Sequence, residues 1–221
     1  MAEICASLLA ANHGWLIRDM KKAENGGIRR FHIDVCDGHY TENIIFGDQL
    51  VRCLRKETDA VLDVHLAVLN MPSISSSFMD TGADIITIQY ESTHLPSRLI
   101  RKIQDDGKQA GICFIPATGF PLMEYFLEDA DLVNILAVDP GIGGQKFQTG
   151  ILKKIEKTAD YIQKNHLSTR IAVDGGVLLS NFSEVRNAGA DIIILGSGIF
   201  SGDIALNLEN ISSLNNGLRE G

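Results

Sequence analysis

Four residues in three apolar segments carry the sharpest chemical signal. His32 and Asp34 stand two apart in Arg30-Phe31-His32-Ile33-Asp34-Val35, His65 ends Asp63-Val64-His65, and Asp174 follows the run 170–173. Residues i and i+2 of a strand face the same side, so His32 and Asp34 point together. If that side is an enclosed interior, His65 and Asp174 reach the same spot from other strands. Two imidazoles and two carboxylates suit a divalent ion such as Zn²⁺, Mn²⁺ or Fe²⁺. Each residue taken alone also fits a hydrogen-bonded structural role. A buried aspartate, however, must be paired, hydrogen-bonded or metal-bound to offset its desolvation, and four such groups converge at one end of these segments.

The elements that must position them are short and alternate. Apolar runs at 4–8, 30–35, 61–66, 85–88, 110–114, 132–138, 170–173 and 192–195 read as strands. Amphipathic segments at 15–24, 48–56, 73–80, 96–105, 122–127, 150–165 and 181–187 read as helices. Nearly continuous apolar strands suit a parallel sheet buried on both faces. Eight β-then-α units without a composition break predict the α/β class and a single (β/α)8 barrel domain over 1–221. A doubly wound open sheet shares this periodicity, but no GxGxxG follows the first strand. Gly82-Ala83-Asp84-Ile85-Ile86 recurs as Gly189-Ala190-Asp191-Ile192-Ile193 about half the chain later. That echo reads either as two related half-barrels or as a common helix-to-strand turn. Trp15, Phe46 and Phe78 are assigned to the core, His13, His94 and His166 to the surface, and the tail 212–221 is expected to fray.

In such a barrel function lies at the C-terminal ends of the strands. Ser7 closes the first. Asp139-Pro140-Gly141-Ile142-Gly143-Gly144-Gln145, Gly175-Gly176 and Gly196-Ser197-Gly198 follow the last three. Glycines let backbone amides approach an anion, and the loops after the last two barrel strands often bind phosphate. One glycine pair is an ordinary turn; three consecutive loops of this kind read as a phosphate cradle. A cradle beside a metal site calls for a phosphorylated substrate with an oxygen-rich reacting centre.

Composition bounds the partners. The 221 residues are 45% hydrophobic and 22% charged, with a net charge of −8. That excludes intrinsic disorder and offers no apolar run long enough for a membrane helix. It also argues against nucleic acid or an anionic membrane as partner. The start Met1-Ala2-Glu3-Ile4 lacks a signal-peptide pattern, and Cys5, Cys36, Cys53 and Cys113 are scattered without CxxC spacing. Reduced thiols and a cytoplasmic location are therefore expected.

From Ser7 to about Phe200 the chain resembles the ribulose-phosphate 3-epimerase family. The carrying motifs are Ser7-Leu8-Leu9, His32-Ile33-Asp34-Val35-Cys36-Asp37-Gly38-His39, Leu62-Asp63-Val64-His65-Leu66, Pro116-Ala117-Thr118, Asp139–Phe147, Val173-Asp174-Gly175-Gly176-Val177 and Gly196-Ser197. The resemblance implies that His32, Asp34, His65 and Asp174 bind one divalent ion, zinc first, with iron, manganese or cobalt as alternatives. It implies that Asp34 and Asp174 are the paired acid and base. Ser7, His65 and Asp174 would touch the substrate, while Gly141, Ile142, Gly143, Gly144, Gly175, Gly176, Gly196 and Ser197 would hold its phosphate end. A homo-oligomer acting on D-ribulose 5-phosphate and D-xylulose 5-phosphate is implied as well. Inverting a carbon next to a ketone requires a proton to leave one face and another to reach the opposite face. Two carboxylates near C3 can do this, while the ion stabilises the enediolate as a Lewis acid.

The chain also departs from the family pattern. Cys36, Ala67 and Leu136 stand where methionines are usual, Gln89 where a histidine is, Glu42 where a proline is, and Ile115 where an asparagine is. The smaller wall raises a second reading, an epimerase for another ketose phosphate such as allulose 6-phosphate. A sugar-phosphate decarboxylase or synthase on the same barrel would need Asp-x-Lys-x-x-Asp at the third strand, where Asp63–Val68 lacks the lysine and the second aspartate. A non-catalytic sugar-phosphate binder has no need of a carboxylate pair.

Overall fold

Alternation along one strand explains the architecture. In β2 (Arg30–Asp37) the outward side chains Phe31, Ile33 and Val35 join the large apolar layer under the helices. The inward ones are Arg30, His32, Asp34 and Cys36, so every position is covered and the inner face is polar. The computed structural model describes residues 1–217. The other strands are β1 (Glu3–Ser7), β3 (Ile44–Ile45), β4 (Val61–Ala67), β5 (Ile85–Gln89), β6 (Gln109–Phe114), β7 (Leu132–Leu136), β8 (Arg170–Asp174) and β9 (Ile192–Leu195). All but β3 are parallel neighbours in chain order, and β9 pairs with β1 and β1 with β2, closing an eight-stranded barrel. The open-sheet alternative is excluded by that closure.

Around it run α1 (Leu16–Asn25), α2 (Asp48–Arg55), α3 (Met71–Phe78), α4 (Pro96–Asp105), α5 (Phe120–Met123), α6 (Ile151–Lys164), α7 (Phe182–Asn187), α8 (Ser197–Phe200) and α9 (Ile204–Asn216). The expected strands and the first seven helices agree to within a few residues. Three elements escape the periodicity: β3, the one-turn α8 and α9. Strand β3 has two residues, and pairs antiparallel with Cys36 and Asp37 on the β2 edge that β1 leaves free. Helix α9 contradicts the expected frayed tail as far as Asn216. Asp203 caps it by accepting from the Ala205 and Leu206 amides. Ile204, Leu208 and Ile211 are buried, and the Asn215 side chain pairs with both backbone groups of Ala2. Residues 218–221 of that expected tail lie outside the described residues.

Phe78 is buried and Phe46 half-buried, as expected, while Trp15 is 60% exposed, with the Arg18 guanidinium 5.1 Å from its ring centroid. Trp15 directly precedes α1 rather than lying on its buried face. His13, His94 and His166 are at the surface.

The repeated Gly-Ala-Asp has a local explanation. Asp84 Oδ2 accepts the amide of Leu62, and Asp191 Oδ2 that of Ile171, each at 2.8 Å. Asp131 does the same for Ala110 at 2.8 Å without the glycine. Three strands thus use an entering aspartate to fasten the strand before, which favours the turn reading over half-barrel duplication.

Candidate active site

The β2–β4 register sets two rows of inward side chains: His32 lies opposite Asp63, and one step higher Asp34 lies opposite His65. The site is built on the upper row. Asp34 Oδ1 lies 3.3 Å from His65 Nδ1 and 3.4 Å from His32 Nε2, and Asp34 Oδ2 accepts from the Ser7 hydroxyl at 3.4 Å. Asp174, ending β8, brings Oδ2 to 3.8 Å from His32 Nε2. Beneath, His32 Nδ1 faces Asp63 Oδ2 at 3.5 Å, and Asp63 Oδ1 accepts from Thr87 at 3.2 Å. Arg30 stands 3.9 Å below Asp63 and pairs with Glu3 at the barrel floor.

Charge sets the protonation of this stack. Burial works against a charged His32, but the Asp34 and Asp63 carboxylates outweigh it and push its pKa well up. Burial alone would raise Asp34; His32 and His65 together hold it far below the carboxylate range instead. Asp174 moves the other way, to about 6, because burial and the Asp34 charge outweigh the pull of the histidines. Two carboxylates in one site therefore differ strongly in proton affinity, the division of labour an acid–base pair needs.

A metal fits the same group. His32, Asp34, His65 and Asp174 offer donor atoms that all lie within 4.8 Å of one another. His32 Nε2 is fully buried with no hydrogen-bond partner, an expensive state for an imidazole nitrogen that coordination would relieve. Cys5, His32 and Asp63 form a second close group. There burial first, and Asp63 next, push the Cys5 thiol pKa well up, which makes it a poor ligand.

Above the stack opens a cavity of about 410 Å³. Ser7, Asp34, His65 and Asp174 line its floor, and Gly141, Ile142, Gly143, Gly144, Gly175, Gly176, Gly196 and Ser197 line its rim and far wall. His32 alone of the predicted residues lies beneath the cavity rather than in its lining. Gly176 sits at φ +67, and a Cβ there would come within 2.5 Å of the Phe147 amide nitrogen. That loop crossing therefore requires glycine. Asn43 clamps the neighbouring loop by donating to the Gly141 carbonyl at 2.7 Å. The departures Cys36, Ala67 and Leu136 all line the cavity, and burial raises the Cys36 thiol to about 11, leaving it neutral. Sequence reasoning did not assign roles to Asp63 beneath His32, to Gln89 behind His65, or to Lys146 and Asn181 in the lining. For Asp63 the signal was available, since it precedes His65 by two and so shares its inward face.

A closed β/α barrel with two aspartates and two histidines gathered beneath a glycine-rich rim at the same strand ends defines a class: β/α-barrel proteins with one polar site at the C-terminal ends of the strands. Solved structures of that shape include KGPDC from Streptococcus mutans, with TM-score 0.76 and 13% identity over 99% of both chains. Phosphoribosyl anthranilate isomerase from Thermus thermophilus gives TM-score 0.69 and 14% identity over 99% of this chain and all of that one. At such identities they speak for the barrel alone.

Sequence narrows the class. The sequence model of the Ribulose-phosphate 3 epimerase family matches residues 3–200, and the chain belongs to that family. The ribulose-phosphate 3-epimerase of Buchnera aphidicola subsp. Schizaphis graminum is 36% identical over 198 residues, covering 89% of this chain and 87% of that one. Those of Methanocaldococcus jannaschii and Bacillus subtilis are each 36% identical over 203 residues, covering 92% and 90% of this chain and 86% and 93% of theirs. The protein is accordingly an isomerase, an epimerase acting on carbohydrates. Among the described residues, no helix is long and apolar enough to cross a membrane.

Proposed function

We propose that this epimerase interconverts D-ribulose 5-phosphate and D-xylulose 5-phosphate by proton transfer at C3 between Asp34 and Asp174. The observation that carries the reading is that Asp34 and Asp174 meet at the floor of one cavity, 3.4 and 3.8 Å from the same His32 nitrogen, with surroundings that lower the one carboxyl and raise the other. Asp34, ionised and backed by the Ser7 hydroxyl, takes the proton from one face of C3. Asp174, which approaches from β8 three strands round the barrel, delivers its own proton to the other face of the resulting enediolate. The reverse reaction exchanges the roles, so the pair carries one proton between turnovers.

His32, Asp34, His65 and Asp174 would hold one divalent ion, zinc or another first-row metal, and the ion when bound supplies Lewis-acid polarisation of the C2 carbonyl. The backbone amides of 141–144, 175–176 and 196–197 bind the phosphate. They do so locally, against a chain charge of −8. A homo-oligomer, implied by the resemblance, and a cytoplasmic location, which the scattered unpaired cysteines support, are part of the same reading.

A second substrate has an observation in its favour. Cys36, Ala67 and Leu136 line the cavity, and the small Cys36 and Ala67 side chains leave room that suits a longer ketose phosphate such as allulose 6-phosphate. The deciding experiment is an NMR panel in D₂O on metal-replete protein, with ribulose 5-phosphate, allulose 6-phosphate and shorter ketose phosphates. Deuterium entering C3 with epimer formation is expected, fastest for ribulose 5-phosphate. A clear preference for the hexulose would move the substrate to the second reading, and no exchange with any sugar would overturn both.

A further inference from the structure

Resting on the metal-site reading above, we propose that Gln89 is a positioning residue that dictates which nitrogen His65 turns to the site, and that Glu91 locks Gln89 in the orientation that does so. The Gln89 side chain is fully buried at the end of β5, behind His65 and outside the cavity lining. Its Oε1 lies 2.9 Å from His65 Nε2. Its Nε2 donates to Glu91 Oε2 and, at 3.3 Å, to the backbone oxygen of Cys113. A carboxylate and a carbonyl can only accept, so both demand the amide nitrogen and leave Oε1 turned to His65.

An acceptor at that distance requires a proton on His65 Nε2, and the neutral ring then has a bare Nδ1. That bare nitrogen faces Asp34 Oδ1 at 3.3 Å, and the pairing is completed by a cation between the two or, in the metal-free protein, by a second proton that makes the ring cationic. Glu91 is itself held from the turn after β6: its Oε1 accepts the Ile115 amide at 3.1 Å and the Thr118 hydroxyl. Three links thus run from that turn through Glu91 and Gln89 to His65. A glutamine wedged between two acceptors presents one face only.

Two-bond ¹H–¹⁵N NMR on the metal-free protein, at a pH where the ring is neutral, reads the tautomer directly. His65 is expected as the Nε2–H form in the wild type. Gln89→Met keeps the length but removes donor and acceptor; it is expected to give mixed tautomers and to weaken Co²⁺ binding, read by chelator competition, by about 10–100-fold. A wild-type His65 protonated at Nδ1 overturns the proposal, whether or not the variant folds. An unchanged tautomer with unchanged Co²⁺ affinity in Gln89→Met overturns it too. Wild-type protein with the Nε2–H form but no Co²⁺ affinity sustains the role of Gln89 and overturns the metal reading instead.

Discussion

Asp34 and Asp174 have the same side chain and occupy the same site, yet their surroundings drive them apart: two imidazoles hold Asp34 ionised, while burial and the Asp34 charge keep a proton on Asp174. Replacing either by asparagine should lower C3 deuterium exchange by about 10²–10⁴-fold, the range for a positioned acid or base. The Asp174 displacement also has a stability consequence. Folding raises its carboxyl from 3.8 to about 6, so the folded state binds that proton more tightly than the unfolded chain. The associated stability is present below about pH 4 and is lost as pH rises through 6. Metal-free Asp174→Asn should therefore be more stable than metal-free wild type above pH 6, and the gap should narrow toward pH 4. Urea unfolding of both proteins across pH 4–8 checks this; a variant less stable at pH 7 would show that burial and Asp34 do not strain the carboxylate.

At the scale of elements, one loop and one helix make separable contributions. The loop after β8 crosses the loop after β7 so closely that Gly176 has no room for a methyl group, and its φ of +67 disfavours any L side chain. Gly176→Ala should displace the rim and raise KM for the sugar phosphate at least tenfold, with a smaller effect on exchange per bound substrate. Steady-state kinetics beside single-turnover exchange separates the two. Helix α9 depends on Asp203, whose side chain accepts two first-turn amides. Asp203→Ala should cost about 1 kcal/mol, the usual value for a lost N-cap. Because α9 packs on α1 at the outside of the barrel, kcat should stay unchanged. Chemical denaturation and a rate assay test both halves.

For the whole molecule, the decisive property is that a chain of charge −8 must attract a phosphorylated substrate. The long-range field opposes the encounter and only the local cradle favours it. Raising ionic strength from about 10 to about 150 mM shortens the screening length from roughly 30 to 8 Å. That should weaken the repulsion, so kcat/KM should rise modestly with salt in this range. A steep fall would mean that a local positive potential, with Lys146 in the lining as its first candidate, governs capture.

How much of this was written in the chain follows from which forces act locally. The strands and most helices were legible because burial on both faces imposes continuous apolar runs, and amphipathic helices impose their own period. His32 and Asp34 could be assigned to one face by spacing alone. The glycine loops could be recognised because Gly141, Gly144, Gly175 and Gly176 take left-handed backbone that favours glycine. Trp15, β3 and α9 were misread or missed: the first is exposed, the second is a two-residue strand, and the third looks like a polar tail until Asp203 and Asn215 find their partners. Asp34 and His65 meet through the β2–β4 register, but Asp174 joins them only when the barrel closes, since β8 comes near β2 only after β9 pairs with β1. The protonation of the pair and the orientation of Gln89 were decided by tertiary structure alone. Both depend on distances between groups 24 to 140 residues apart in the chain, and electrostatic and hydrogen-bond energies are fixed by separation in space.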